Sequence, residues 1–175
     1  ERIKLFAHNG LHFYIAALGR LRNVKRLSDL ADNAAVRMSV HALLQKEIAP
    51  ALWRDCGKHI GRKAFDRYMR ELPERLFSKT LKDRVSRGIR NVEAKFEPGE
   101  RIVGGLELLK QNGISPDRFH DLLAAGLEVA RLEVSKEAAC RLFSHIPDEG
   151  TRREVRMWWQ RMQQNPEFLS GGTPQ

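Results

Sequence analysis

Apolar residues recur at three- and four-residue spacing along almost the whole chain, the period of an amphipathic helix and not of a strand. Over residues 2–18, Ile3, Phe6, Leu11, Tyr14, Ile15 and Leu18 fall on one face; Gly10 weakens the middle of this helix and Gly19 is placed to stop it. A basic connector occupies residues 20–26. Ser28 is positioned to cap a second helix that carries Leu30, Ala34, Met38, Leu43 and Leu44 as far as Ile48. Pro50 would open a third helix at its first position, where an amide proton is not needed, and Leu52, Cys56 and Ile60 continue it.

Gly61 and Pro73 predict two further breaks. Beyond them, Leu76, Phe77, Leu81, Val85, Ile89, Val92 and Phe96 form the next apolar stripe, with Arg75, Lys79, Lys82 and Arg90 roughly opposite it. Pro98-Gly99 is the clearest internal loop. A short helix is predicted over 100–111, ended by Asn112-Gly113. Ser115-Pro116-Asp117 then starts a helix with Phe119, Leu122, Leu123, Leu127, Ala130 and Val134. Ser135 is placed to cap the helix that follows, and Thr151 to Glu154 has the capping-box pattern at the head of a last one containing Val155, Trp158, Trp159 and Met162. No segment alternates with a strand's period. The expected class is all-α, a compact multi-helix bundle of about six to eight helices. A basic half over 1–97 and a near-neutral half over 98–165 are expected to form one continuous domain, followed by a flexible tail over 166–175.

Charge adds a direction to this picture. Residues 1–90 carry a net charge of +11 and residues 91–175 a net −2, out of +9 for all 175 residues. The stretch from Trp53 to Arg90 alone holds 12 Lys or Arg against 5 Asp or Glu. Such asymmetry favours anionic partners on one side of the molecule. No apolar run approaches the length of a membrane span. Two cysteines, Cys56 and Cys140, make no disulfide framework and fit a reducing, cytoplasmic setting. The first residue is Glu1 and not Met, so the chain is expected to begin inside a larger gene product.

Motifs that carry chemistry are weak. Cys56, His59, Cys140 and His145 could build a tetrahedral zinc site only if the fold joined two pairs far apart in sequence, and the cysteines fit helical stripes as small buried side chains. His8 and His12 share a helical face at a four-residue spacing, but no Glu follows the first of them. His120-Asp121 is similar to the doublet of the HD phosphohydrolases, and the further histidines such a site needs are absent between residues 60 and 119. Residues 29–44 resemble a helix-turn-helix, yet Ala35 stands at the turn position and one continuous helix explains the same residues. There is no P-loop and no nucleophile elbow, so no metal, cofactor or enzymatic activity is implied.

These features predict a non-catalytic module that binds DNA or RNA by phosphate contacts from Arg62, Lys63, Arg75, Lys79, Lys82, Arg87 and Arg90. The alternative is a helical adaptor or scaffold in a multiprotein assembly, such as a secretion or transfer machine. It would meet an acidic protein surface through the same basic face, or use Trp158 or Trp159 as an anchor.

Overall fold

The computed structural model of the protein describes residues 1–164. A π-helical stretch, Lys4–Asn9, runs directly into α1, Gly10–Leu21. Helix α2, Ala34–Leu43, passes through a second π-helical stretch, Leu44–Ile48, into α3, Ala49–Cys56. The chain continues with α4 (Arg62–Leu76), the short α5 (Val85–Ile89), α6 (Val103–Gln111), α7 (Phe119–Glu133), α8 (Lys136–Ser144) and α9 (Glu149–Gln164). With α2 and α3 counted as one unbroken helix, the described residues form eight, in the all-α class the periodicity predicts. No described helix is long and apolar enough to cross a membrane. The predicted tail over 166–175 lies outside the described residues.

Two helices are buried along most of their length and sit at the centre. In α1, Leu11 and the run from Phe13 to Leu18 are buried, and in α7 every residue from Phe119 to Ala130 is buried. Helix α1 packs on α7 and α5, while α8 and α9 cover α7. Buried side chains from both sides of Pro98 share this core. Gly19 does not stop α1. A Cβ there would stand 2.6 Å from a Val85 methyl, so glycine is present to let the loop before α5 close on the helix, which continues to Leu21.

Several predicted breaks are corrected by local hydrogen bonding. Pro73 lies inside α4, where it leaves the Met69 carbonyl without its helical donor. The Gln45 side-chain amide fills that vacancy, donating to the Met69 oxygen at 3.1 Å, and the helix runs on to Leu76. Pro50 likewise lies within a continuous helix, just past the π-turn in which the Ala49 amide bonds Leu44. The register changes at that point, and a missing donor is tolerated there. The stripe over 76–96 is interrupted by a loop, so Leu81 is exposed. Met38 and Val134, expected on apolar faces, are also exposed.

Caps shift as well. Ser28 lies in a 3₁₀ turn, Leu27–Leu30, and Asn33 caps α2, its Oδ1 accepting from the Val36 amide at 3.0 Å. Ser135 caps α8 as predicted, accepting from Ala138 at 3.1 Å. Asp148 takes the role expected of Thr151, accepting from the Thr151 amide at 2.8 Å. Helix α7 is capped from a distant element: the Glu47 carboxylate accepts from the amides of Arg118 and Phe119 at 2.5 and 2.9 Å. Burial pushes the Glu47 carboxyl up to about 7 against those two bonds, and burial also pushes Asp121, one turn into α7, up to about 7.

Candidate functional site

In an α-helix, residues five apart point about 140° away from each other. A π-turn changes that, because its i→i+5 bond brings such residues side by side on one face. Here the Gly10 amide reaches back to the Leu5 carbonyl, and the π-helical stretch sets Lys4 beside Asn9. His8, four residues after Lys4, and His12, three after Asn9, extend the same polar face. The α1 side chains beyond it are core, so this is the one polar strip on the first helix.

His8, Asn9 and His12 of this strip line a polar pocket of about 440 Å³. His8, Asn9 and His12 form one wall, Asp83, Arg87, Gly88, Arg90 and Asn91 from around α5 form the second, and Lys95, Glu100 and Arg101 close the third. The His8 and His12 rings are parallel within 3°, with centroids 6.4 Å apart. Burial is the main cause holding both imidazoles below their usual range; the Lys4 charge adds to this at His8, and Asp83 opposes it at His12. Both rings are therefore neutral at neutral pH and can accept hydrogen bonds. Lys95 is buried, and burial together with Arg101 and Arg90 pulls its ammonium down to about 8. Its Nζ donates to the carbonyls of Arg90 and Asn91. The buried Nε of Arg101 has no hydrogen-bond partner among the described residues. Donors and neutral acceptors thus converge at close spacing, an arrangement suited to a small molecule with several hydroxyls.

A second groove, about 610 Å³, lies between α3 and α4, with Trp53, Pro50, Phe65 and Met69 in its wall and the Arg62 guanidinium 4.5 Å over Trp53. It gathers no comparable set of proton-exchanging groups.

The predicted phosphate-binding residues scatter. Arg62 pairs with Asp66 at 2.8 Å, Arg75 with Glu71, Lys79 with Asp32 at 3.3 Å, and Arg87 with Asp83 at 3.1 Å. Arg87 and Arg90 line the polar pocket, Lys82 sits in the loop before α5 with φ +48°, and Lys63 is exposed on the first turn of α4. Trp158 and Trp159 are both half-buried, and Trp159 Nε1 donates to Glu128 at 2.8 Å. Cys56 donates to the Leu52 carbonyl and Cys140 is exposed; among the described residues no three His, Cys, Asp or Glu are placed to hold a metal ion. His120 and Asp121 are buried in α7. Of the pocket's residues, the sequence singles out His8, His12, Arg87 and Arg90. Asn9, Asp83, Lys95 and Arg101 escape notice because the π-turn and the approach of α5 leave no mark in helical periodicity.

Comparison with known proteins bears on this pocket. Residues 1–139 match the model of the mannitol dehydrogenase C-terminal domain. The chain is 26% identical over 137 residues to mannitol-1-phosphate 5-dehydrogenase of Aspergillus niger, which covers 78% of this chain and 34% of that protein. It is 29% identical over 124 residues to mannitol-1-phosphate 5-dehydrogenase of Caldanaerobacter subterraneus subsp. tengcongensis, covering 71% and 31%. The chain spans about a third of the length of these relatives.

These likenesses overturn the nucleic-acid reading, with its DNA or RNA partner, and equally the adaptor that would meet an acidic protein surface. The physical reason is local. Four of the seven cations expected to meet phosphates are paired with neighbouring acids, and two face into a concave pocket and not along a continuous stripe. All-helical and carrying its polar strip at the very residues the match begins with, the chain belongs to the mannitol dehydrogenase C-terminal domain family.

Proposed function

We propose that this chain is the polyol-binding part of a dehydrogenase that oxidises a secondary hydroxyl of mannitol or mannitol 1-phosphate to a ketone. The carrying observation is the convergence of His8, Asn9 and His12 on one polar pocket, in a segment covered by the family match.

Oxidation of a secondary alcohol removes a hydride from carbon and a proton from oxygen. The described residues contain no strand leading through a glycine-rich turn into a helix, so they do not fit a dinucleotide cradle, and the hydride acceptor is assigned to another part of the protein. What this chain supplies is the handling of hydroxyls and of the proton. The Asn9 carboxamide, which makes no hydrogen bond to another described residue, is free to donate to the reacting oxygen. The neutral His12 ring accepts from a neighbouring hydroxyl. The proton leaves to a neutral imidazole of the pocket wall, His8 or His12, as the carbonyl forms. Two cysteines with no disulfide between them fit a cytoplasmic setting for such an enzyme.

The test is alcohol oxidation by the protein that carries this chain, with mannitol and mannitol 1-phosphate as substrates. His12→Ala is expected to lower turnover by about 10²- to 10⁴-fold, the usual contribution of a positioned acid–base group. Activity unchanged in that variant, or no oxidation of either polyol by the parent protein, would sink the proposal.

A further inference from the structure

We infer that Asp83 is a positioning residue for His12, holding the imidazole with its proton on Nε2 so that Nδ1 is the nitrogen offered to a substrate hydroxyl. The inference rests on the polyol reading of the pocket.

Each edge of the His12 ring meets a different element. Asp83, in the loop before α5, places Oδ2 3.5 Å from Nε2, and both side chains are about four-fifths buried, with exposures of 22% and 20%. A carboxylate can only accept, so it selects the tautomer carrying the proton on the facing nitrogen. Asp83 is itself held. Its Oδ1 accepts from Arg87 at 3.1 Å, and its backbone carbonyl accepts from the Leu27 amide at 3.0 Å. The His8 ring lies parallel to that of His12, with centroids 6.4 Å apart.

The opposite edge is kept open by a missing side chain. A Cβ on Gly88 would stand 3.3 Å from His12 Cε1 and 3.5 Å from Nδ1, in the pocket wall. Without it, the Nδ1 edge of the ring is clear of Gly88, and both residues line the pocket. The charged and titratable groups around the ring are Asp83, His8 and Arg87, with Lys4 beyond His8.

Long-range proton–nitrogen NMR spectra of the chain read the tautomer and titration midpoint of His12 directly, with the exposed His59 as internal control. The expected result is an Nε2–H tautomer above the midpoint. Asp83→Ala should mix the tautomers and move the midpoint down, because an anion that favours the imidazolium is lost. Asp83→Asn keeps an acceptor oxygen, so it should lower the midpoint yet retain the Nε2–H form, and it serves if the alanine variant fails to fold. An Nδ1–H tautomer in the parent chain, or a midpoint unmoved in Asp83→Asn, would overturn the inference. Adding mannitol separates the two levels of the argument. A response at Nδ1 supports both. No response at any pocket residue, with the tautomer still under Asp83 control, removes the polyol reading and leaves the Asp83–His12 coupling standing as a structural fact alone.

Discussion

Replacing Gly88 with alanine sets two physical effects against each other. Gly88 sits inside α5 with ordinary helical geometry, and helix propensity alone favours alanine there by about 1 kcal/mol. Packing opposes it. The new Cβ would stand 2.3 Å from the Ala16 Cβ, whereas carbon atoms in contact sit about 3.5–4.0 Å apart. Neither atom is the end of a flexible side chain, so α5 and α1 must separate by more than about 1 Å. Forced overpacking of this kind costs about 1–3 kcal/mol, and the displacement also draws Asp83 away from His12. Gly88→Ala is therefore expected to destabilise the chain, with a melting temperature lower by about 2–4 °C for each kcal/mol lost in a protein of this size. Urea unfolding followed by circular dichroism gives the sign, and the His12 resonances report the local displacement. A variant as stable as the parent or more so, with unmoved His12 signals, would refute the packing argument.

Asn33→Ala removes the only side-chain cap of α2 and should cost about 1 kcal/mol in a urea titration, a loss not expected of Ser28→Ala. Glu47 and Asp121 have carboxyls near 7 in the folded chain against ordinary values of 4.5 and 3.8. The folded state therefore binds more protons than the unfolded one between about pH 4 and pH 7, so these two groups make stability fall as pH rises through that window and level off above it. Comparing urea midpoints at about pH 5 and about pH 8 should show a smaller drop in Glu47→Gln than in the parent, by up to roughly 3 kcal/mol; an equal drop would place the titration elsewhere. Gln45→Ala leaves the Met69 carbonyl, freed by Pro73, without its donor and should cost about 1 kcal/mol, measured in the same way.

The helical class and the Ser135 cap were readable from spacing, because burial imposes a period that local sequence carries. The breaks were not. Pro73 and Pro50 each signal a stop, and each is overridden by something distant or unusual: the Gln45 amide reaching across from the neighbouring helix, and a register change in a π-turn. Glu47 capping a helix that begins some seventy residues later is invisible for the same reason. The pocket follows this pattern. His8 and His12 stood out at their four-residue spacing, but in an α-helix Lys4 and Asn9 diverge, and only the π-turn joins them. The charge run from Trp53 to Arg90 drew attention to phosphates although four of the seven cations singled out in it answer neighbouring acids. Arg87 and Arg90 belong to the polar pocket by virtue of where α5 packs, which no count of charges reveals.

The central claim is that the pocket walled by the first helix and α5 binds a polyol. Titrating mannitol 1-phosphate into the isotope-labelled chain, and following backbone and side-chain resonances, tests it most directly. The account predicts saturable shifts at Asn9, His12, Asp83 and Gly88, with residues around Trp53 unaffected. Shifts confined to the Trp53 groove, or none at all at millimolar ligand, would contradict it.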